Sequence, residues 1–380
     1  MTDTSFAYVR DEMLDEQPAP ATSTGVIGWM KANLFSDIPN TIMTIVGVVF
    51  LYWFIPPIFN FLVTHAVFPW SVENTIDACR TEEAGACWIY VVDRFNFFIY
   101  GFYPAEEYWR VNICFLLGAV TLVPLLWPDL PYKGLSAIGF FVVLPVATFF
   151  LLNGGGFTGL AEVPTEKWGG LTITLIIATV GIVASLPIGI VLALGRRSHM
   201  PFVKYVCIAF IELWRAVPLI TVLFMASIML PLFLPEGTSI DKLLRALVGV
   251  SLFSAAYMAE VVRGGLQALP KGQYEAADAL GLNYFKSMYL IILPQALKHS
   301  IPGIVNNFIS LFKDTSLVSI VGLFDLLNTV QATTAQVEWK SPHQATTGYL
   351  FAAAMFWIFC FGMSRYSMYM ERRLDTGHKE

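Results

Sequence analysis

Charge is what this sequence has least of. Only 13% of its 380 residues are Asp, Glu, Lys or Arg, against 56% hydrophobic and 14% aromatic. Soluble domains carry about 25% charged residues. So little charge cannot cover a water-facing surface of this size, which excludes a soluble enzyme and a disordered chain. With 28 acids against 23 Lys and Arg, a net charge of −5, there is no basic footprint for nucleic acid either. Histidine is scarce: His65, His199, His299, His343 and His378 are scattered, none at ligand spacing from another His or Cys. No metal centre is expected. No stretch reads G-x-x-x-x-G-K-[ST], and the run Gly154–Gly156 is followed by Phe157. Any ATP hydrolysis therefore belongs to another chain. Residues 1–37 begin acidic (Asp3, Asp11, Glu12, Asp15, Glu16) and lack a short apolar stretch with a cleavage site, so no signal peptide is expected.

What is abundant is long apolar runs. A spanning helix needs about 20 mostly apolar residues, and eight stretches qualify: Ile38–Val63, Val111–Trp127, Leu135–Leu152, Gly170–Leu194, Val203–Leu232, Leu243–Val262, Ile301–Phe324 and Tyr349–Ser364. The expected fold is thus an all-α membrane protein with about eight transmembrane helices. Pro218 kinks the fifth stretch, and Lys313 and Asp314 interrupt the seventh.

Lys and Arg in short loops fix the orientation. The stretch 195–202 carries Arg196 and Arg197; 263–299 carries Arg263, Lys271, Lys286 and Lys298; the tail 371–380 carries Arg372, Arg373 and Lys379. By contrast 64–108 has seven acids against Arg80 and Arg94. Eight spans put the three basic segments and both termini in the cytoplasm and the loop 64–108 outside. An outward loop lies in an oxidising compartment, which makes Cys79 and Cys87 a disulfide candidate, with two free thiols as the alternative. The aromatics from Trp70 to Trp109 read as an interfacial belt rather than a docking surface.

The stretch Leu269–Leu297 reads as two short helices forming a compact knob. Pro270 and Gly272 open it, Gln273–Leu280 is helical, Gly281 is a left-handed cap and Asn283 caps a second helix. That helix shows an apolar face of Tyr284, Met288 and Ile292. Ala276 and Ala277 would let a partner approach closely, and Glu275 suits a helix start or a partner cation. The bland alternative is an amphipathic loop lying on the membrane.

The spacing decides between them. Glu275-Ala276-Ala277, three residues, Gly281, nine residues, Ile291, one residue and Leu293-Pro294 resembles the EAA signature of permease subunits in binding-protein-dependent ABC importers. The resemblance covers Trp168–Met370 and implies a type I importer core of five helices. Residues 211–220, IELWRAVPLI, resemble the E-L-x-R-G-T-P-L-L segment of polar amino acid permeases, with Ala216 and Val217 in place of Gly and Thr. Residues 311–317, LFKDTSL, resemble that subfamily's L-x-K-D-T-S-L. The three additional helices over 38–160 and the Cys-bearing periplasmic loop resemble the long M-type subunit of the general L-amino acid importer.

The resemblance implies a bacterial inner-membrane, multi-pass, non-catalytic subunit. Its implied partners are a second homologous permease, a cytoplasmic ABC ATPase dimer that binds ATP and Mg, and a periplasmic amino-acid-binding protein. This chain would bind no cofactor of its own. Glu275, Ala276, Ala277, Gly281, Leu293 and Pro294 would couple to the ATPase.

Charges inside spans are functional candidates by default. Glu212 and Arg215, at i, i+3, can meet on one face; Glu260 and Arg263 repeat that spacing near the inner end of the sixth span, where a structural pair holding helices in register is the favoured reading. Lys313 and Asp314 splay about 100° apart on a helix and look toward other helices or a cavity. Glu212, Arg215, Lys313, Asp314, Thr315 and Ser316 are the substrate-path candidates, because both signs plus hydroxyls answer a zwitterionic L-amino acid. The Pro218 break and Lys313–Ser316 are expected to line one polar passage near the midplane, against the partner permease. An ion-coupled secondary transporter would share broken helices and buried charge, but it lacks a reason for the coupling signature.

Overall fold

The computed structural model describes residues 25–70, 76–127, 129–235 and 240–374. Parts of the N-terminal segment 1–37 and of the tail 371–380 lie outside the described residues. The chain divides into two compact units, Met1–Ala66 and Val67–Glu380. The described part is helical apart from a two-residue strand, Phe324–Asp325, bridged to Gly169–Gly170. Seven helices are long and apolar enough to cross a membrane, or eight if one bent pair counts as a span.

In the first unit, a short helix Gly25–Asn33 precedes α1, Ile38–Phe59. Asp37 caps α1 by accepting from the Asn40 N–H at 2.8 Å. Pro56 and Pro57 are followed by a wider-wound turn, Asn60–Thr64, so the apolar stretch runs Ile38–Thr64.

In the second unit the spans are α2 (Tyr108–Leu126), α3 (Lys133–Asn153), α4 (Gly170–Arg196), α5 (Pro201–Ala216) with α6 (Leu219–Leu232), and α7 (Lys242–Ala268). The knob follows as α8 (Lys271–Ala279) and α9 (Tyr284–Ser287); then come α10 (Leu293–Asp314), α11 (Leu326–Thr334) and α12 (Gln344–Leu374). At the centre α4 packs along α7, α10 along α7 and α12 along α10. The buried stripe of α7, Leu243, Ala246, Val250, Ser254, Met258, Val262 and Leu266, recurs every third or fourth residue. Beside it the buried face is filled by small residues, Gly249, Ser251, Ala255, Ala256, Ala259 and Gly265, because helix association in a membrane depends on close approach. A Cβ at Gly265 would come within 2.4 Å of the Ala296 carbonyl, so α7 and α10 meet at that glycine. The helices α2 and α3 belong to the same packed unit: Val111, Cys114 and Leu152 share a core with Ile173, Val250 and Leu311.

Three expectations change. The stretch 203–232 is not one kinked helix, since α5 and α6 bend by 102° where Val217 and Pro218 turn extended. The seventh span begins earlier than Ile301, because Leu293–Ser300 is already helical and Pro294 stands in the first turn, where a missing N–H costs nothing. The basic stretch 263–299 is therefore mostly helix ends plus knob.

The third change concerns the acidic end. Tyr90, Phe98 and Tyr103 are buried, and only Trp70, Phe95, Phe102 and Trp109 among the tyrosines, tryptophans and phenylalanines named here are exposed. Short helices Trp88–Asp93 and Phe95–Tyr100 fold over the ends of α4, α11 and α12, so the aromatic run is largely core rather than belt. Cys79 is bonded to Cys87 there, with Cα atoms 5.7 Å apart. The Cys87 N–H donates to Thr347 Oγ1 at 3.0 Å, and Tyr90 pairs with the Thr333 hydroxyl. Asp325, fully buried, caps α11 by accepting from the Leu327 and Asn328 N–H groups at 3.0 and 3.2 Å. Burial pushes its carboxyl up to about 6, against the opposing pull of those N–H groups.

Candidate functional site

The knob is built as its residues demand. Gly281 has φ +66, the left-handed conformation that lets the Leu282 N–H close back on the Ala277 carbonyl at 3.2 Å. Asn283 Oδ1 accepts from the Lys286 N–H at 2.9 Å and starts α9. Ile292 is fully buried and Met288 packs beside it against a core that includes Met258, Leu266 and Ala296. The two alanines differ: Ala276 is exposed with Glu275, whereas Ala277 is completely buried. The smallness of Ala277 thus serves the inside of the knob and not a partner's approach. Leu293 is half-buried and Pro294 exposed, both in the first turn of α10 rather than in a loop. Leu280, Phe285 and Tyr289 are 73%, 80% and 76% exposed.

The intramembrane charges fall into two groups. At the basic end, one guanidinium nitrogen of Arg196 donates to Glu212 Oε1 at 2.9 Å and to Glu260 Oε1 at 2.7 Å. Arg263 pairs with Glu260 at 2.6 Å, as its i, i+3 spacing implies. Arg215 does not turn to Glu212; it faces Glu260 at 3.9 Å and lies over the Tyr257 ring at 5.6 Å. Glu212 is drawn to Arg196 because the end of α4 comes alongside α5, and a longer-range partner displaces the local one. Arg196, which the loop charges mark only as a cytoplasmic cation, is the hub of this group. Nothing local in the sequence marks it, since its partners stand 16 and 64 residues away.

The second group is Lys313–Ser316. Leu311 packs at Gly181, close to the middle of α4. Lys313 is exposed and Asp314 half-buried, and neither has an ion-pair partner among the described residues. Thr315 is buried, its hydroxyl donating to the Phe312 carbonyl at 2.7 Å, and the Ser316 hydroxyl donates to the Lys313 carbonyl at 2.9 Å. The hydroxyls thereby satisfy carbonyls freed where α10 tightens into the narrower turn Thr315–Val321.

The two interruptions adjoin, but not through their charges. Leu219, Val222 and Leu223, just past Pro218, share one apolar core with Leu311, Val318 and Val321. Glu260 lies ten residues from Val250 of that core, about 15 Å along α7. One polar passage shared by Arg215 and Lys313 is therefore not what this chain forms by itself. The bend instead opens an apolar cavity of about 630 Å³ between Trp214, Val217, Met225, Met229 and Val248, with Arg245 as its charged lining residue.

Three comparisons bear on this arrangement. A family model described as "Binding-protein-dependent transport system inner membrane component" matches residues 185–376. The chain is 54% identical over 368 residues to the inner membrane amino-acid ABC transporter permease protein YhdY of Escherichia coli K12, covering 96% of this chain and 98% of that protein. It is 42% identical to the glutamate/glutamine/aspartate/asparagine transport system permease protein BztC of Rhodobacter capsulatus, covering 100% of both. Among solved structures, one described as "Crystal structure of an amino acid ABC transporter with histidines" is 29% identical, with a TM-score of 0.48 over 54% of this chain and 92% of that one.

Proposed function

This chain belongs to the family of binding-protein-dependent transport system inner membrane components, and on that premise we propose how it works within its importer. It is a non-catalytic, multi-pass inner-membrane permease subunit of an amino-acid ABC importer, and ATP is bound by an ATPase partner. Our reading adds that it forms half of the translocation path for L-amino acids with a second, homologous permease. Both termini and the knob face the cytoplasm; the Cys79–Cys87 end faces the periplasm and a binding protein.

The knob carries this reading. It is a rigid two-helix projection whose interior is filled by Ala277, Met288 and Ile292, while Glu275, Ala276, Leu280 and Phe285 are left uncovered. Such a surface suits a groove on a cytoplasmic ATPase, Glu275 toward a cation and the apolar side chains toward its floor. In the membrane, Lys313 and Asp314 have no ion-pair partner among the described residues, and we take their countercharges to come from outside the chain. An amino acid supplies both, a carboxylate for Lys313 and an ammonium for Asp314. We assign Lys313–Ser316 to the path, and Glu212 and Arg215 to holding α5.

Reconstitution tests the reading. The purified complex should retain an ATPase subunit and take up amino acid only with ATP inside the assay's ATPase compartment. Gly281→Val forces a branched side chain into positive φ and should abolish ATP-driven uptake while the subunit still inserts. Uptake driven by an ion gradient in the absence of any ATPase subunit would instead establish a secondary transporter.

A further inference from the structure

We infer that the consecutive arginines Arg196 and Arg197, at the end of α4, are positioning residues that carry displacement of the knob to α5 and so to the Pro218 break. This rests on the reading of the knob as the ATPase-facing element. Adjacent residues at a helix end point about 100° apart, and these two reach different neighbours. Arg197 donates to Tyr274 Oη and to the Leu266 carbonyl, both at 3.1 Å, and stacks over the Tyr274 ring at 5.6 Å. Tyr274 Oη in turn donates to the same carbonyl at 3.2 Å. Leu266 lies in the last turn of α7, where carbonyls have no partner inside the helix. The knob is thus fastened where α4 and α7 both end, through a helix-terminal carbonyl that needs donors.

Arg196 reaches the other way, to Glu212 of α5 and Glu260 of α7. The hold on α5 is shallow. Ile211 is its single buried residue; Phe210 and Trp214 pack half-buried against the neighbouring cores, and Glu212 and Arg215 add charge-assisted contacts. Ion pairs of long side chains tolerate sliding that an interdigitated apolar face does not. At its far end α5 breaks at Pro218, and the first turn of α6 packs on the segment that follows Lys313–Asp314. The knob, two guanidinium links and the shallowly buried α5 therefore form one continuous connection from the cytoplasmic surface to the path.

Spatial continuity alone does not demonstrate coupling, so the test is a double-mutant cycle on the complete importer in proteoliposomes. Tyr274→Phe keeps the ring and its stacking but removes the hydroxyl that ties the knob to Arg197 and to the Leu266 carbonyl. It should leave basal ATP hydrolysis, the KM for amino acid and the melting temperature unchanged. Amino acid taken up per ATP hydrolysed should fall about fivefold or more, the low end of ordinary coupling between sites. Glu212→Gln, at the other end of the connection, should lower the same ratio. The double variant should be no worse than the poorer single one, because both cut one line. Wild-type uptake per ATP in either single variant would overturn the inference, as would losses that multiply in the double variant. A lowered melting temperature with an unchanged ratio would reduce the contacts to structural ones. If the wild-type importer itself showed no ATP-driven uptake, the functional reading beneath the inference would fall with it.

Discussion

The Glu260 hub and the Lys313–Ser316 segment are both charged regions inside spans, and they are built in opposite ways. Around Glu260 three arginines from three helices meet two carboxylates, and every one of the five charges has a partner within the chain. At Lys313 and Asp314 both signs are present and neither is paired among the described residues. A partnered charge in a low-dielectric setting holds helices together. An unpartnered pair that persists next to a helix break needs countercharge from another chain, from water or from a passing ligand. Charge inside a membrane therefore has no single meaning; its partners decide it.

The largest effect is expected from removing the hub's shared carboxylate. Glu260→Ala leaves Arg196, Arg215 and Arg263 facing one another, and should cost about 3 kcal/mol of stability, seen as a lowered melting temperature and yield of the purified complex. A stable Glu260→Ala complex would show that the hub is as replaceable as the path.

The acidic end belongs with the hub in pairing polar groups inside the chain, Tyr90 with Thr333 and Asp325 with the Leu327 and Asn328 N–H groups. Replacing Cys79 and Cys87 together by Ser should lower stability by about 2–3 kcal/mol, the entropy of so short a loop, and leave uptake per folded complex unchanged. Differential scanning of oxidised and doubly substituted protein measures it.

The smallest effect is a pH dependence at Asp325. Its folded carboxyl, held up at about 6, binds a proton more tightly than in the unfolded chain. Stability is therefore greater in acid and is lost as pH rises through about 6, by about 1 kcal/mol between pH 5 and 7. Asp325→Asn keeps an oxygen to cap α11 and removes the titration, so its melting temperature should lose that slope.

Much of this was legible from local pattern. Apolar run length located the spans, and the spacing at Gly281 and Asn283 specified the turn and cap of the knob, because both depend on one or two residues. The i, i+3 pair Glu260–Arg263 was legible for the same reason. What depended on tertiary contact was not. Glu212 and Arg215 have the same spacing as Glu260 and Arg263, yet they part company because Arg196 arrives from another helix. Ala276 and Ala277 look alike in sequence, but only the direction of α8 decides which is buried. Pro218 signalled a break without its 102° angle, which the packing of Leu219 and Val222 against Val318 sets. The aromatic run from Trp88 to Tyr103 resembled an interfacial belt because residue type does not distinguish a ring facing lipid from one folded under a loop.

The most direct test compares Lys313→Met with Glu260→Gln in one preparation, reading amino acid uptake and melting temperature together. Methionine preserves the length of the lysine and removes only its charge. Lys313→Met should lower uptake about tenfold or more, the effect of losing one charge-assisted contact to substrate, at an unchanged melting temperature. Glu260→Gln should lower the melting temperature while each surviving complex still transports. Normal uptake by Lys313→Met, or a loss of stability that accounts for its loss of uptake, would contradict the assignment of the unpaired charges to the path.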